Sequence, residues 1–203
     1  MKHSTTSDTL GNLVCPVPQL NNMAASHFST TQYTATQYVE SVGAIAIRVS
    51  TREICLVHHK EKDEWLLPKG RRNVGESRPD AGLRELKEET GFSCRLLPLT
   101  MTTRATSTVE IADCPDEARE HRDACEPFML THRSLGEGEL KIIWWYIAAV
   151  DEDAEVGKGE EQFGAYLLGF EDALARLTFE GDREIVREAI RIFEENVERG
   201  TVR

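Results

Sequence analysis

No stretch of this chain stays apolar over the roughly 20 residues that a membrane-spanning helix needs. The N-terminus, MKHSTTSDTLGNLVCPVPQL, is polar and lacks the apolar segment of a secretory signal. A cytoplasmic or nuclear protein is therefore expected, with no membrane partner. The five cysteines (Cys15, Cys55, Cys94, Cys114 and Cys125) are odd in number and contain no C-x-x-C pair, which points to reduced thiols. Cys114, His121, Cys125 and His132 also lack the close ligand pairs of a structural zinc site. Positive charge is scarce too. A formal net charge of −11 repels polyanions and argues against nucleic acid as a partner. A polyphosphate substrate would need a local basic patch, a metal ion, or both.

What remains is the balance of a globular protein: 203 residues, 40% hydrophobic and 29% charged, enough for one domain with a real core. Residues 1–38 are rich in Ser, Thr, Asn and Gln without a hydrophobic period, and read as a loose polar tail before a domain over 39–199. Val42–Val49 and Ile54–His59 form a hairpin pattern, followed by the short run Trp65-Leu66-Leu67, which Pro68 stops. A helix is expected over Pro79–Thr90, then strand-rich sequence over Cys94–Thr108. Residues 110–125 read as a charged surface insert, and Phe128–His132 and Leu140–Val150 resume the sheet. Asp151–Glu161 reads as an acidic loop, Glu171–Leu177 as a short helix, Arg183–Arg199 as a longer amphipathic one, and 200–203 as a C-terminal tail. This order predicts an α/β sandwich, which by itself names no function.

The chemistry concentrates in Gly70–Phe92, GRRNVGESRPDAGLRELKEETGF. Ser77 can cap the helix with Asp80 three residues on, Pro79 suits the first turn, and Gly91 can end it in the left-handed conformation. Glu85, Glu88 and Glu89 stand at i, i+3 and i+4, one arc of the helix, while Leu83, Leu86 and Thr90 occupy another. Neighbouring carboxylates repel, and a hard divalent cation relieves that repulsion. Alone, the E-L-K-E-E run is read more readily as a solvated acidic face.

The flanking residues change that reading. Gly70, Glu76, Arg84-Glu85-Leu86, Glu88-Glu89 and Gly91-Phe92 fall in register over 23 residues and resemble the Nudix box at each fixed position. The resemblance implies a Nudix-type α/β/α sandwich with a mixed β-sheet between helices. It also implies a Mg²⁺- or Mn²⁺-dependent hydrolase that cleaves a phosphoanhydride by water attack. Glu85, Glu88 and Glu89 would then be metal ligands, joined by the Lys69 carbonyl, with Glu76 and Arg84 pairing the loop to the helix. EEQFGAYLLGFEDALARL resembles the corresponding region of diadenosine tetraphosphate hydrolases and puts Glu161 at a further acidic position, with Glu160 the near alternative.

The expected substrate is a small polyphosphate. His59, Lys60, Arg71 and Arg72 are candidate phosphate ligands from a basic run that also includes His58, Lys62 and Lys69, and Arg104, His132 and Arg133 could join from other strands. The L-L-P-K-G-R and L-G-F-E-D-A segments are similar to those of diadenosine and diphosphoinositol polyphosphate hydrolases. A dinucleoside polyphosphate is the first expectation and an inositol pyrophosphate the second. Ala165 stands where the nucleotide-cleaving relatives place an adenine-stacking tyrosine, which leaves Tyr166 as the neighbouring platform. A catalytically silent binding module of the same fold is the third reading, and the intact box speaks against it. Oligomeric state is open.

Overall fold

The computed structural model describes residues 27–107, 109 and 112–202. Every element named below belongs to one compact unit that starts at Tyr33. In chain order these are β1 Tyr38–Arg48, β2 Glu53–His59, β3 Glu64–Leu66, β4 Lys69–Arg71, α1 Arg78–Thr90, β5 Cys94–Leu96 and β6 Leu99–Thr103. They continue with β7 Arg119–Ala124, β8 Met129–Gly136, β9 Glu139–Val150, β10 Phe163–Gly169, α2 Phe170–Arg176 and α3 Glu180–Glu198.

The main sheet has the order β10-β2-β1-β9-β5, with β3 beside β2, β4 beside β1 and β8 beside β9. β1 runs parallel to β9 and antiparallel to β2 and β4, so the sheet is mixed. A parallel pair requires a long crossover, and the chain between β2 and β9 carries α1 as it makes this one.

Strand alternation sorts the side chains onto two faces. Val42, Ala44 and Ala46 of β1 meet Cys55, Ala148 and Leu86 on the face that α1 covers. Small residues there bring the helix backbone close: a Cβ on Gly82 would stand 3.1 Å from Val42 Cγ1. Ile45 and Ile47 join Ile54, Leu56, Trp145 and, from α3, Ile185, Ala189 and Phe193 on the opposite face, where Ala173 of α2 also packs. Helices cover both faces, which is the expected α/β/α sandwich. None of the helices described is long and apolar enough to cross a membrane. The four described cysteines, Cys55, Cys94, Cys114 and Cys125, are free thiols.

The structure departs from the sequence reading at several places. The segment read as a surface insert over 110–125 contributes β7, antiparallel to β6 in a separate two-stranded sheet. Its residues REHRDA carry no apolar period, because the pairing to β6 rather than a buried face holds it. Residues 200–202 do not trail away. Gly200 turns the chain at φ 72°, the Thr201 hydroxyl donates to Asn196 O at 2.9 Å, and Val202 is buried. β4 and β10 were unexpected. As for the polar tail, β1 starts at Tyr38, and residues 1–26 lie outside the described residues.

Candidate active site

α1 starts where Ser77 Oγ accepts the Asp80 N–H at 3.2 Å and donates to Asp80 Oδ2 at 2.6 Å. It ends at Gly91, φ 78°, whose N–H donates to Lys87 O at 2.8 Å. Between these caps Arg84 organises the acids. Its Nε and Nη2 fork onto Glu76 Oε1 and Oε2 at 2.7 and 3.0 Å, and Nη2 also donates to Arg71 O at 3.0 Å. Nη1 bridges Glu85 Oε1 and Glu88 Oε2 at 2.7 and 2.9 Å. The guanidinium therefore fastens the loop to the helix, as expected for Glu76 and Arg84, and offsets the crowded carboxylates. The bonds from Arg84 and from the Asn73 N–H hold the Glu76 carboxyl down at about 2.

Arg72 has a different role from the one expected of it. Its Nε donates to Glu40 Oε2 at 2.6 Å and its Nη1 to Glu76 O at 2.9 Å. Glu40 also accepts from Arg78 Nε at 2.6 Å and Trp144 Nε1 at 2.8 Å, and the Arg78 guanidinium lies 4.2 Å over the Trp144 ring. Arg72 thus braces the loop against β1 instead of presenting a free cation.

Glu89 is the buried member of the acidic arc, 9% exposed, and its Oε2 accepts the Lys69 N–H at 2.9 Å. Burial pushes its carboxyl up to about 7, although the Lys69 charge and N–H pull the other way. Lys69 meets the acids through its N–H, a contact the sequence reading, which used its carbonyl, did not foresee. Opposite, a Cβ on Gly70 would stand 1.8 Å from Glu85 Oε2, so only glycine leaves that carboxylate its place. Among the described residues no three His, Cys, Asp or Glu side chains form a closed metal cage, and Arg84 stands between Glu85 and Glu88. The donor set is nonetheless all hard oxygen, packed onto a strand cleared of side chain at Gly70. It fits Mg²⁺ or Mn²⁺.

The acidic loop before β10 is tied to the end of α1 by backbone. Gly157 N–H donates to Gly91 O at 2.8 Å and Glu160 N–H to Glu88 O at 2.9 Å. A Cβ on Gly159 would lie 2.8 Å from Glu89 O. This close approach makes Glu160 an electrostatic neighbour of Glu89. Glu161, the expected acid, instead points its carboxylate to Lys158 Nζ at 2.8 Å and is largely exposed. Its carbonyl accepts from Lys60 Nζ at 2.6 Å.

A hollow of about 430 Å³ opens here, lined by Lys60, Glu89, Lys158, Glu160, Phe163 and Ala165. Lys60 is therefore beside the acids, and His59 reaches the rim by packing edge-on to Phe163 at 5.4 Å. Tyr166 is not there. It alternates with Ala165 to the other face of β10, where its ring lies 4.9 Å from Trp65, which stacks in turn on His58 at 4.8 Å. The aromatic that does line the hollow, Phe163, escaped the sequence reading. Its signal was the Phe163-Ala165-Leu167 alternation, which Gly164 and the L-G-F-E-D-A resemblance obscured.

The opposite face carries a second opening, a cleft of about 290 Å³ whose walls include Lys69, Thr131, Arg133, Trp145 and Asp182. Gly70 faces Glu85, so Lys69 and Arg71 point to this other face. Lys141 pairs with Arg133 across β9 and β8 and, two residues before Ile143, lies on the same face of the sheet. Burial, then the nearby Lys69, Arg133 and Arg71 charges, lower the Lys141 ammonium. Asp182, from the first turn of α3, is raised by burial and drawn back by Lys69 and Arg133.

The profile of the NUDIX domain matches residues 37–189, more than half of the chain, which therefore belongs to the Nudix family. Members of this family generally work with a divalent metal. An 8-oxo-(d)GTP phosphatase of Mycolicibacterium smegmatis is 43% identical over 47 residues, 23% of this chain and only 15% of that protein. The fold is similar to a C. elegans Ap4A hydrolase, with 17% identity, TM-score 0.51, and 77% of this chain and 98% of that one covered. It is also similar to a NUDIX hydrolase from Nitrosomonas europaea, with 16% identity, TM-score 0.51, and 75% and 88% covered.

Proposed function

We propose that this chain is a Mg²⁺-dependent pyrophosphohydrolase that cleaves a phosphoanhydride bond of a small, multiply phosphorylated molecule. The observation that carries the reading is the Arg84-centred cluster, in which Glu85 and Glu88 share one guanidinium while Glu89 lies buried against Lys69 N–H. A bound divalent cation supplies a polarised phosphoryl oxygen and an activated water. Glu85, Glu88 and Glu89 would hold it. Burial raises the Glu89 carboxyl against the pull of Lys69, and a bound cation would relieve that cost. Glu160 is better placed than Glu161 to assist at the same end of α1.

For the substrate, a dinucleoside polyphosphate such as diadenosine tetraphosphate remains the first reading. Phe163, in the hollow that Glu89 lines, is the ring available to a base. An inositol pyrophosphate is the second, and the outward stacking of Tyr166 on Trp65 favours it. The mycobacterial relative adds an oxidised purine nucleotide to the substrates worth assaying. The test is turnover of these three substrates with Mg²⁺ or Mn²⁺ by the native chain and by Glu88→Gln and Glu89→Gln. Each variant should lose on the order of 10²-fold or more in rate. Near-normal turnover by both variants overturns the assignment, and no turnover of any substrate leaves a silent binding module.

A further inference from the structure

The loop between β4 and α1, residues 72–77, is held at both of its ends by one side chain from outside the Gly70–Phe92 stretch. Glu40 stands two residues before Val42 in β1 and shares the face that α1 covers, with 13% of its side chain exposed. Its Oε2 accepts Arg72 Nε at 2.6 Å where the loop begins, and its Oε1 accepts Arg78 Nε at 2.6 Å where the helix begins. Trp144 Nε1 donates to Oε1 from β9 at 2.8 Å, so the carboxylate is tied to the sheet as well. The Arg72 N–H donates to Glu40 O at 3.1 Å, which carries the β1–β4 ladder one step into the loop.

This grip passes inward through Glu76. Arg72 Nη1 donates to Glu76 O at 2.9 Å and to Asn73 O at 3.2 Å, and the Asn73 N–H donates to Glu76 Oε2 at 2.9 Å. Glu76 is thus held toward Glu40 by its carbonyl and toward Arg84 by its carboxylate. The Arg84 guanidinium is divided in turn. Glu76 takes Nε and Nη2, while Glu85 and Glu88 share Nη1. A cation bound by Glu85 and Glu88 competes with Nη1 for the same oxygens, and the guanidinium gives way more readily while Glu76 keeps hold of it.

We propose that Glu40 is a positioning residue for the metal site: by clamping both ends of the loop it keeps Glu76 on Arg84, so that Arg84 can release Glu85 and Glu88 to a divalent cation. The proposal rests on the metal-dependent reading above and adds to it a residue of β1 that sets how tightly the cation is held. Without the clamp, Arg72 and Arg78 lose their shared carboxylate and Glu76 drifts. Arg84 then stays on Glu85 and Glu88 as a competitor of the cation.

Mn²⁺ binding to the full chain without substrate, followed by electron paramagnetic resonance, tests this apart from turnover. Glu40→Gln keeps the shape of the side chain but accepts on one side only, so one arginine is released. Its Mn²⁺ affinity should fall about tenfold, the low end of what partners behind metal ligands cost. Arg72→Gln should show a similar fall, and it carries the test should Glu40→Gln not fold. Glu194→Gln, which removes the Arg52 ion pair between the β1–β2 turn and α3, should bind as the native chain does. A double-mutant cycle tests the route through Arg84. In an Arg84→Ala background the competitor is gone, so Glu40→Gln should change Mn²⁺ affinity by less than about twofold. Lower denaturant midpoints with unchanged Mn²⁺ affinity in Glu40→Gln and Arg72→Gln would make the clamp structural only and overturn the proposal. An undiminished loss in the Arg84→Ala background overturns it too, because the clamp would then act by another route. Turnover is scored separately. Hydrolysis by a native chain whose Mn²⁺ affinity ignores Glu40 defeats the positioning role alone. Glu40-dependent Mn²⁺ binding without hydrolysis of any phosphoanhydride defeats the hydrolase reading alone, and a native chain that binds no Mn²⁺ defeats both.

Discussion

Glu85 lies so close over Gly70 that any Cβ there would fall 1.8 Å from Oε2 and 2.0 Å from Cδ. The obstacle is the far end of a flexible side chain and not backbone, so the fold can absorb an added methyl by swinging the carboxylate aside. Gly70→Ala should therefore melt close to the native temperature while losing on the order of 10²-fold in turnover. Thermal melts beside steady-state rates check this. A variant of normal activity would show that Glu85 is not needed where it lies.

The fork from Arg84 to Glu76 should be visible in acid. Glu76 has its carboxyl held at about 2 against an ordinary 4.5. The pair thus contributes stability that is complete above about pH 4.5 and is lost as pH falls toward 2. Arg84→Ala should lower stability at neutral pH and flatten its fall across that window. Denaturant midpoints measured at several pH values decide the matter, and parallel curves for the two proteins would remove the fork from the account.

Gly159 sets the distance between the acidic loop and α1. Alanine there would meet Glu89 O at 2.8 Å, a backbone atom that cannot turn away. Gly159→Ala should lift Glu160 off the end of α1 and raise the Mg²⁺ concentration for half-activation several-fold, with a melting shift of about 3 °C or less. Mn²⁺ binding measured without substrate provides a reading independent of turnover. Unchanged metal affinity and unchanged activation would mean that the loop does not assist the site.

The end of the chain should matter for stability. Val202 is buried and Thr201 Oγ1 bonds to Asn196, which itself clamps Thr100 through Oδ1 at 2.8 Å and Nδ2 at 2.9 Å. Ending the chain at Arg199 should cost about 1–3 kcal/mol, the worth of a buried valine with its neighbouring polar contacts. Chemical denaturation measures it, and a cost near zero would return these residues to the status of a tail.

What could be read from the sequence was whatever repeats or is capped. The α1 boundaries followed from Ser77 and Gly91, and the long strands β1 and β9 from their apolar runs. The pairing of Glu76 with Arg84 followed from the box. β4 was hidden because three residues, Lys69-Gly70-Arg71, carry no period, and a ladder of backbone bonds to Ser41–Gly43 defines them. Tyr166 was misplaced for a related reason. Its neighbour Ala165 was known to matter, but the side that each residue faces depends on the register of β10 against β2, where Ala165 pairs with Val57 and Tyr166 with Leu56. Glu161 and Glu160 differ by one position, and the choice between them lies in the contact of Gly159 with Glu89, which is tertiary. Lys69, Arg71 and Arg133 were legible as basic candidates, but Lys141 was not, because it sits in an apolar strand and only the register of β8 against β9 sets it beside Arg133.

β4 works as a reading frame. Its alternation puts cation, glycine and cation at consecutive positions, and each neighbour depends on which way a residue faces. A single-residue insertion or deletion between Leu67 and Asn73 would change the composition by almost nothing. Yet it would turn an arginine or lysine toward Glu85 and a glycine toward Arg133 and Lys141. Length in this segment is therefore more tightly constrained than residue type, and evolutionary drift or engineering should find substitutions tolerated at Arg71 well before any change in the count.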